Sequence, residues 1–267
     1  MVDDASSAYL QVSGGLSHHF LVRQLPELGR VGAPFAYLHL ADLDRAPEYK
    51  LYLFPNCLAP TEYERRLIEQ KVKRGGHLVV WLWAPGLVRH ERLDPPAMQA
   101  LTGIRLALQP TAAPLQVKVG GEAAWVGEAA GTSYGLAAAF APTLFADDEA
   151  ALTLGTLAGG QAGLVAKQLP GWTSLYSAAP VLPHTLLRAL AQRAGVHLYA
   201  PAGDVVYANR SLLAVSVNQG GPRTLHLPGR EDVFDLYQGQ DVGRALSQFT
   251  VDIPARGTRL FRLRWSP

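Results

Sequence analysis

Cysteine occurs once in 267 residues, at Cys57. A single thiol excludes an intramolecular disulfide framework and any Cys-rich zinc site. Charge is also sparse. Charged residues make up 17% of the chain and the net charge is +2. With no basic run and no basic stripe interleaved with aromatics, nucleic acid is excluded as an expected partner. Gly and Pro interrupt every apolar stretch well before membrane-spanning length, so no membrane association is expected. The first residues lack the basic start and apolar core of a secretory leader, which makes a soluble, cytoplasmic protein the expectation. Missing too are G-x-G-x-x-G after a strand, a phosphate loop ending in G-K-[ST], and G-x-S-x-G. His18-His19 lacks H-E-x-x-H spacing. No cofactor and no metal are expected.

What is present is a globular composition, 48% hydrophobic, long enough for one large or two small domains. The stretch from Tyr49 to Gly86 organises it. Leu51 to Phe54 is a short apolar run, the form of a strand buried on both faces. Thr61 with Glu64 three residues on predicts an N-cap and capping box. Tyr63, Leu67, Ile68 and Val72 recur at helical spacing, and Gly75-Gly76 ends the helix before a second apolar run, His77 to Trp83. Two parallel strands joined by a crossover helix are the unit of an open α/β sheet. Ligands of such sheets bind at the carboxyl ends of the strands, here Pro55-Asn56-Cys57 and Ala84-Pro85-Gly86.

Elsewhere the signals are shorter. Asp3-Asp4 with Ser6 and Ser7 reads as the loop after a strand of which only Met1 and Val2 remain. Ser17 to Leu28 has helical spacing with Pro26 near its end, and Phe35 to Leu40 alternates like a strand. A helix is predicted from Pro95-Pro96 to Gly103, and another over HTLLRALAQRA, ended by Gly195. Between them, Leu115 to Val119, Ala151 to Leu157, Gly163 to Gln168 and Trp172 to Tyr176 are strand-like. Past Gly195 the period changes to two, with seven short strands expected from Val196–Tyr199 to Arg259–Arg264. The boundary is set at 198/199. Residues 1–198 should form the α/β domain and 199–267 a small antiparallel β-sandwich domain.

The segment FPNCLAPTEYERRLIEQKVKRGGHLVVWLWAPG resembles a region of large microbial β-galactosidase-related glycoside hydrolases. The stretches GWTSLYSAAPVLPHTLLRALAQRAGVHLY, GDVVYANRSLLAVSV and TRLFRL resemble the same region's later parts. The resemblance implies a flavodoxin/class I glutamine-amidotransferase-like open sheet used for trimerisation, followed by a small β domain. It therefore implies a homo-oligomer, a trimer, with carbohydrate as a further partner. No stretch matches the catalytic barrel of those enzymes, so its two glutamates have no counterpart. A non-catalytic assembly or carbohydrate-associated module is the first reading, and a small glycosidase using loop carboxylates is the alternative.

Glycoside hydrolysis needs two carboxylates flanking the scissile bond. Asp3, Asp4 and Glu91 are the candidates, being loop carboxylates near strand ends. Asn56, Cys57, Trp81, Trp83 and His90 are the substrate-binding candidates, with the tryptophans suited to stacking on a sugar. The simpler reading is solvated loop carboxylates and core tryptophans. An amidotransferase-type nucleophile would sit at the elbow after Trp83, where Ala84 carries none. Cys57 lies one strand earlier and reads as a small buried residue. Asp147-Asp148-Glu149 has no His nearby and reads as a turn or helix start.

Overall fold

Residues 1–12 and 16–265 are described by a computed structural model. The chain divides into two compact units, Met1–Leu25 with Tyr37–Ala194, and Pro26–Ala36 with Gly195–Pro267. Within the described residues no helix is long and apolar enough to cross a membrane.

The first unit begins with α1 (Asp4–Val12), a π-helical segment His18–Val22, and α2 (Gln24–Gly29), which carries Pro26 in its first turn where a missing N–H costs nothing. The expected crossover follows as β1 (Leu51–Phe54), α3 (Glu62–Leu67) with a π-helical continuation Ile68–Val72, and β2 (His77–Leu82). Thr61 accepts from Glu64 N and Glu64 reaches back to Thr61 N, forming the capping box. A two-residue hairpin, β3 (Val88–Arg89) and β4 (Arg92–Leu93), leads to α4 (Pro95–Thr102). Then come β5 (Leu106–Gln109), β6 (Ala113–Val119), α5 (Ala123–Val126), β7 (Ser133–Phe140), β8 (Thr143–Ala146), β9 (Leu152–Leu157), β10 (Ala162–Leu169), β11 (Trp172–Ser177) and α6 (His184–Arg193).

These strands make one curled open sheet in the order β1-β2-β11-β10-β9-β6-β7, with β5 and β8 attached through β10. The β1–β2 and β2–β11 pairs are parallel, and the rest of the path is antiparallel. All six residues of β2 and all six of β11 are buried, which explains their unbroken apolar runs. Phe54 stacks on Trp81 with ring centroids 4.5 Å apart, both fully buried. Such a pair adds about 1 kcal/mol to the burial of its rings.

The expected first strand exists as a single parallel bridge. Val2 pairs with His39, and Met1 N donates to Leu53 O at 2.7 Å on the other side. Phe35–Leu40 is therefore not a strand: it bridges at His39 alone, and Leu40 opens a 3-10 turn, Leu40–Asp42. Apart from the two-residue strands β3 and β4, three strands escaped the sequence reading, β5, β7 and β8, because the Ala- and Gly-rich stretch from Arg105 to Gly171 obscures the period there. Asp148 lies in a turn, accepting from Arg105 N and Ala150 N and pairing with Lys167 Nζ at 2.7 Å.

In the second unit the seven expected strands are five. These are β12 (Val205–Ala208), β13 (Leu212–Ser216), β14 (Gly221–Asp235), β15 (Gln240–Ile253) and β16 (Thr258–Trp265). They form one antiparallel sheet, ordered β12-β13-β16-β14-β15, in place of the expected sandwich of two sheets. Thr224–Leu227 and Val233–Tyr237 fall largely within the long β14, which runs through Pro228-Gly229 with shifts in its β15 register. Val196–Tyr199 is not a strand, although Tyr199 O accepts from His226 N at 2.8 Å. Leu225 and Leu227 from the first half of β14 and Val233 from the second join one core with Leu213, Val215 and Phe261. Phe249 and Phe261 pack edge-on at 4.9 Å within it.

Candidate functional site

The parallel strands β1, β2 and β11 release their chains on one side of the sheet, where sheet-bound ligands are expected. Asp3 sits there as the N-cap of α1. Its Oδ1 accepts from Ala5 N at 3.1 Å and its main-chain carbonyl from Ser7 N. Ser6 Oγ donates to Asp3 Oδ2 and itself accepts from Leu58 N at 2.8 Å and Ala59 N at 2.7 Å. Asn56 closes the arrangement in both directions. Its Oδ1 accepts from Asp3 N, and its Nδ2 donates to Asp3 O at 2.7 Å and Ser7 Oγ at 2.9 Å. Asp3 and Asn56 are buried, 2% and 3% exposed. Burial raises the Asp3 carboxyl above its ordinary range, and the Ser6 hydrogen bond partly opposes that.

Cys57 follows, also buried. Burial first, and then the neighbouring Asp3 carboxylate, push its thiol well above the usual value. A thiol so placed is not a nucleophile at neutral pH. Beside it Arg65 donates to Pro60 O and Gly86 O, holding the loop after β2 against the loop after β1. Gly86 N donates to Cys57 O at 2.7 Å across the same gap.

At the end of β2 the chain turns sharply at Trp83, whose φ is +60°. A strained strand-to-helix elbow places a nucleophile in hydrolases that use one. Here the strained position carries an indole. Tyr176 OH donates to Trp83 O at 2.7 Å, and Trp83 N donates to Ser177 O. Phe20 lies against the Trp83 ring at 5.9 Å. Trp83 Nε1 is buried without a hydrogen-bond partner. After β11, Tyr134 OH and Ser177 Oγ are 2.7 Å apart, and Ser177 Oγ donates to Ala179 O. Gly135 brings β7 close here, since a Cβ on it would collide with Leu115 O and crowd Ala179. Gln24 clamps Leu182 by both amide atoms, at 3.1 and 2.9 Å.

No family model matches the chain, and no curated protein matches it. Solved structures do. A β-galactosidase from Bacillus circulans sp. alkalophilus superposes with a TM-score of 0.68 at 19% identity, covering 98% of this chain and 41% of the other. The polyextremophilic β-galactosidase of the Antarctic haloarchaeon Halorubrum lacusprofundi gives 0.63 at 15%, covering 98% and 39%. Gan42B, a GH42 β-galactosidase, gives 0.60 at 14%, covering 92% and 36%. The chain has a β-galactosidase-related fold. It spans about 40% of the length of the enzymes it matches.

Within this β-galactosidase-related fold the expected site residues separate into three places. Asp3, Asn56 and Cys57 come together in the closed network described above. Trp81 is fully buried behind them, its Nε1 donating to Ser174 Oγ at 3.1 Å, while Trp83 is 6% exposed. Asp4, next in the chain to Asp3, points to solvent and pairs with His39 Nδ1 at 3.1 Å. His90 and Glu91 are exposed at the tip of the β3–β4 hairpin, with φ of +50° and +60°. The three candidate carboxylates are thus a buried cap, a surface residue bonded to His39 and a turn residue. Sequence reasoning missed Tyr134, Tyr176, Ser177 and Gln24. Only Asp3 with its following serines carried a local signal, that of a helix N-cap. Among the described residues no group of three His, Cys, Asp or Glu side chains could hold a metal ion.

Proposed function

We propose that this chain is a non-catalytic module related to the part of β-galactosidases lying outside their catalytic barrel, and that it serves in assembly or in association with carbohydrate. The observation that carries this reading is the closed state of the strand ends. The polar groups of Asp3, Ser6, Asn56, Tyr134, Tyr176 and Ser177 are committed to one another and to backbone, and these side chains are buried. The order His39, Val2, β1, β2, β11 supports placing the first unit with flavodoxin- and amidotransferase-like sheets, whose strands run 2-1-3-4-5. The module assembles as a homo-oligomer through that unit.

Hydrolysis of a panel of nitrophenyl glycosides tests the reading, with no turnover above buffer expected. A second reading rests on Asp3, whose raised carboxyl is the property of a general acid. Turnover that is lost in Asp3→Asn, Asp4→Asn or Glu91→Gln would establish a glycosidase built on loop carboxylates and overturn the first reading.

A further inference from the structure

The sheet of the second unit has two faces, and the register assigns each residue to one. Val206, Leu213, Val215, Val233 and Phe261 point into the core. Alternation then puts their neighbours on the outer face, which in a half-exposed antiparallel sheet is normally polar. Here it is not. Tyr207 pairs with Ala214, Ala214 with Leu260, and Leu236 N donates to Leu260 O, so these four side chains form one outward row. In the next row Leu212 pairs with Arg262, Arg262 with Phe234, and Phe234 with Asp241. Tyr207 is 66% exposed, and Leu212 and Leu236 are each 38% exposed. Polar rows border the patch. Ser216 and Thr258 share a hydrogen bond on one side, and Arg264 lies opposite Asp232 on the other. An apolar centre with Tyr, Phe and Arg inside a polar rim is the composition of a protein interface.

The charges say which protein. Arg262 and Asp241 flank Phe234 in one row, and the guanidinium lies over the Phe234 ring, 4.8 Å from its centroid. Neither has an ion-pair partner among the described residues. A two-fold axis near Phe234 would set Arg262 of each copy against Asp241 of the other, which makes the face its own complement. We propose that this outer face packs against the same face of a second copy, with Phe234 and Leu260 near its centre, reciprocal Arg262–Asp241 pairs on either side of Phe234, and Tyr207 anchoring it from the edge strand β12.

The inference goes beyond the proposed function, which puts assembly in the first unit, and variants on the outer face of the second unit tell the two apart. Sedimentation of the full chain across a wide concentration range should show reversible self-association. Tyr207→Lys should weaken it at least about tenfold, the effect of losing one interface anchor. Its outward position leaves the core intact, which an unchanged melting temperature would verify. Arg262→Asp and Asp241→Arg should each weaken association alone, and mixing the two variants should restore it, because each then supplies the charge the other lacks. A wild-type chain that stays monomeric overturns the inference together with the homo-oligomer of the proposed function, whereas the non-catalytic part of that reading is tested separately by the glycoside panel. Association indifferent to Tyr207→Lys, or a mixture of the two charge variants no stronger than either alone, overturns it as well.

Discussion

Ser6 illustrates how much one buried hydroxyl can hold. Its oxygen accepts two backbone N–H groups of the loop after β1 and donates to the Asp3 carboxylate. Ser6→Ala leaves the buried Leu58 N–H and the partly buried Ala59 N–H without this partner, so a loss of about 1–3 kcal/mol is expected in urea unfolding. Asp3 gives a pH signature of definite sign. Burial raises its carboxyl, so the folded chain retains a proton that the unfolded chain has released. That contribution to stability is complete below the unfolded value near pH 4 and falls as pH rises through the higher folded value. Asp3→Asn removes the titration, so the variant should gain on wild type as pH rises above about 4, read from paired urea midpoints. At Cys57 the expected outcome is slow alkylation in the native protein and fast alkylation once unfolded, since burial keeps the thiol protonated.

Among the elements, the β3–β4 hairpin is the one that local chemistry does not favour. Both turn residues, His90 and Glu91, have positive φ, the pattern of a type I′ turn that Asn-Gly fits without strain. Left-handed backbone costs an ordinary residue about 1 kcal/mol. The double change His90→Asn with Glu91→Gly should therefore stabilise the protein by roughly 1–2 kcal/mol, measured by chemical denaturation. The same variant carries a functional readout, because a glycosidase relying on Glu91 would lose activity while becoming more stable. The helix α3 shows the opposite case. Its cap, Thr61 with Glu64, was legible as T-x-x-E and is formed as read.

For the whole molecule, the division into units is not a single cut in the sequence. Pro26–Ala36 belongs with Gly195–Pro267, and its carbonyls are used there. Gly32 O accepts from Tyr199 N at 2.7 Å, and Arg30 O from Gly203 N at 2.9 Å. A fragment ending at residue 198 would keep this strip and discard its partners. Residues 1–198 expressed alone should thus melt well below the full chain, and limited proteolysis should not release that fragment in folded form. A stable, cooperatively melting fragment would count against this.

The sequence by itself determined the pieces whose signals are local. The capping box at Thr61, the apolar runs of β1, β2 and β11, the Pro-initiated α4 and the change to period two after Gly195 all arise from neighbours within a few residues. It also determined that the position after Trp83 holds no nucleophile. Tertiary structure decided what local chemistry leaves open. Asp3, Asp4 and Glu91 are alike on the page, yet one caps a helix in a buried network, one meets His39 at the surface and one occupies a turn. Which of these a carboxylate becomes depends on groups far along the chain, Asn56 for Asp3 and His39 for Asp4. The closure of the strand ends by Tyr134, Tyr176 and Ser177 depends on β7 folding back across the sheet. The apolar outer face of the second sheet emerges only when register sets Tyr207, Ala214, Leu260 and Leu236 side by side. Period-two alternation names which residues share a face of one strand. It cannot say which strands lie next to each other, and the function of a face depends on that.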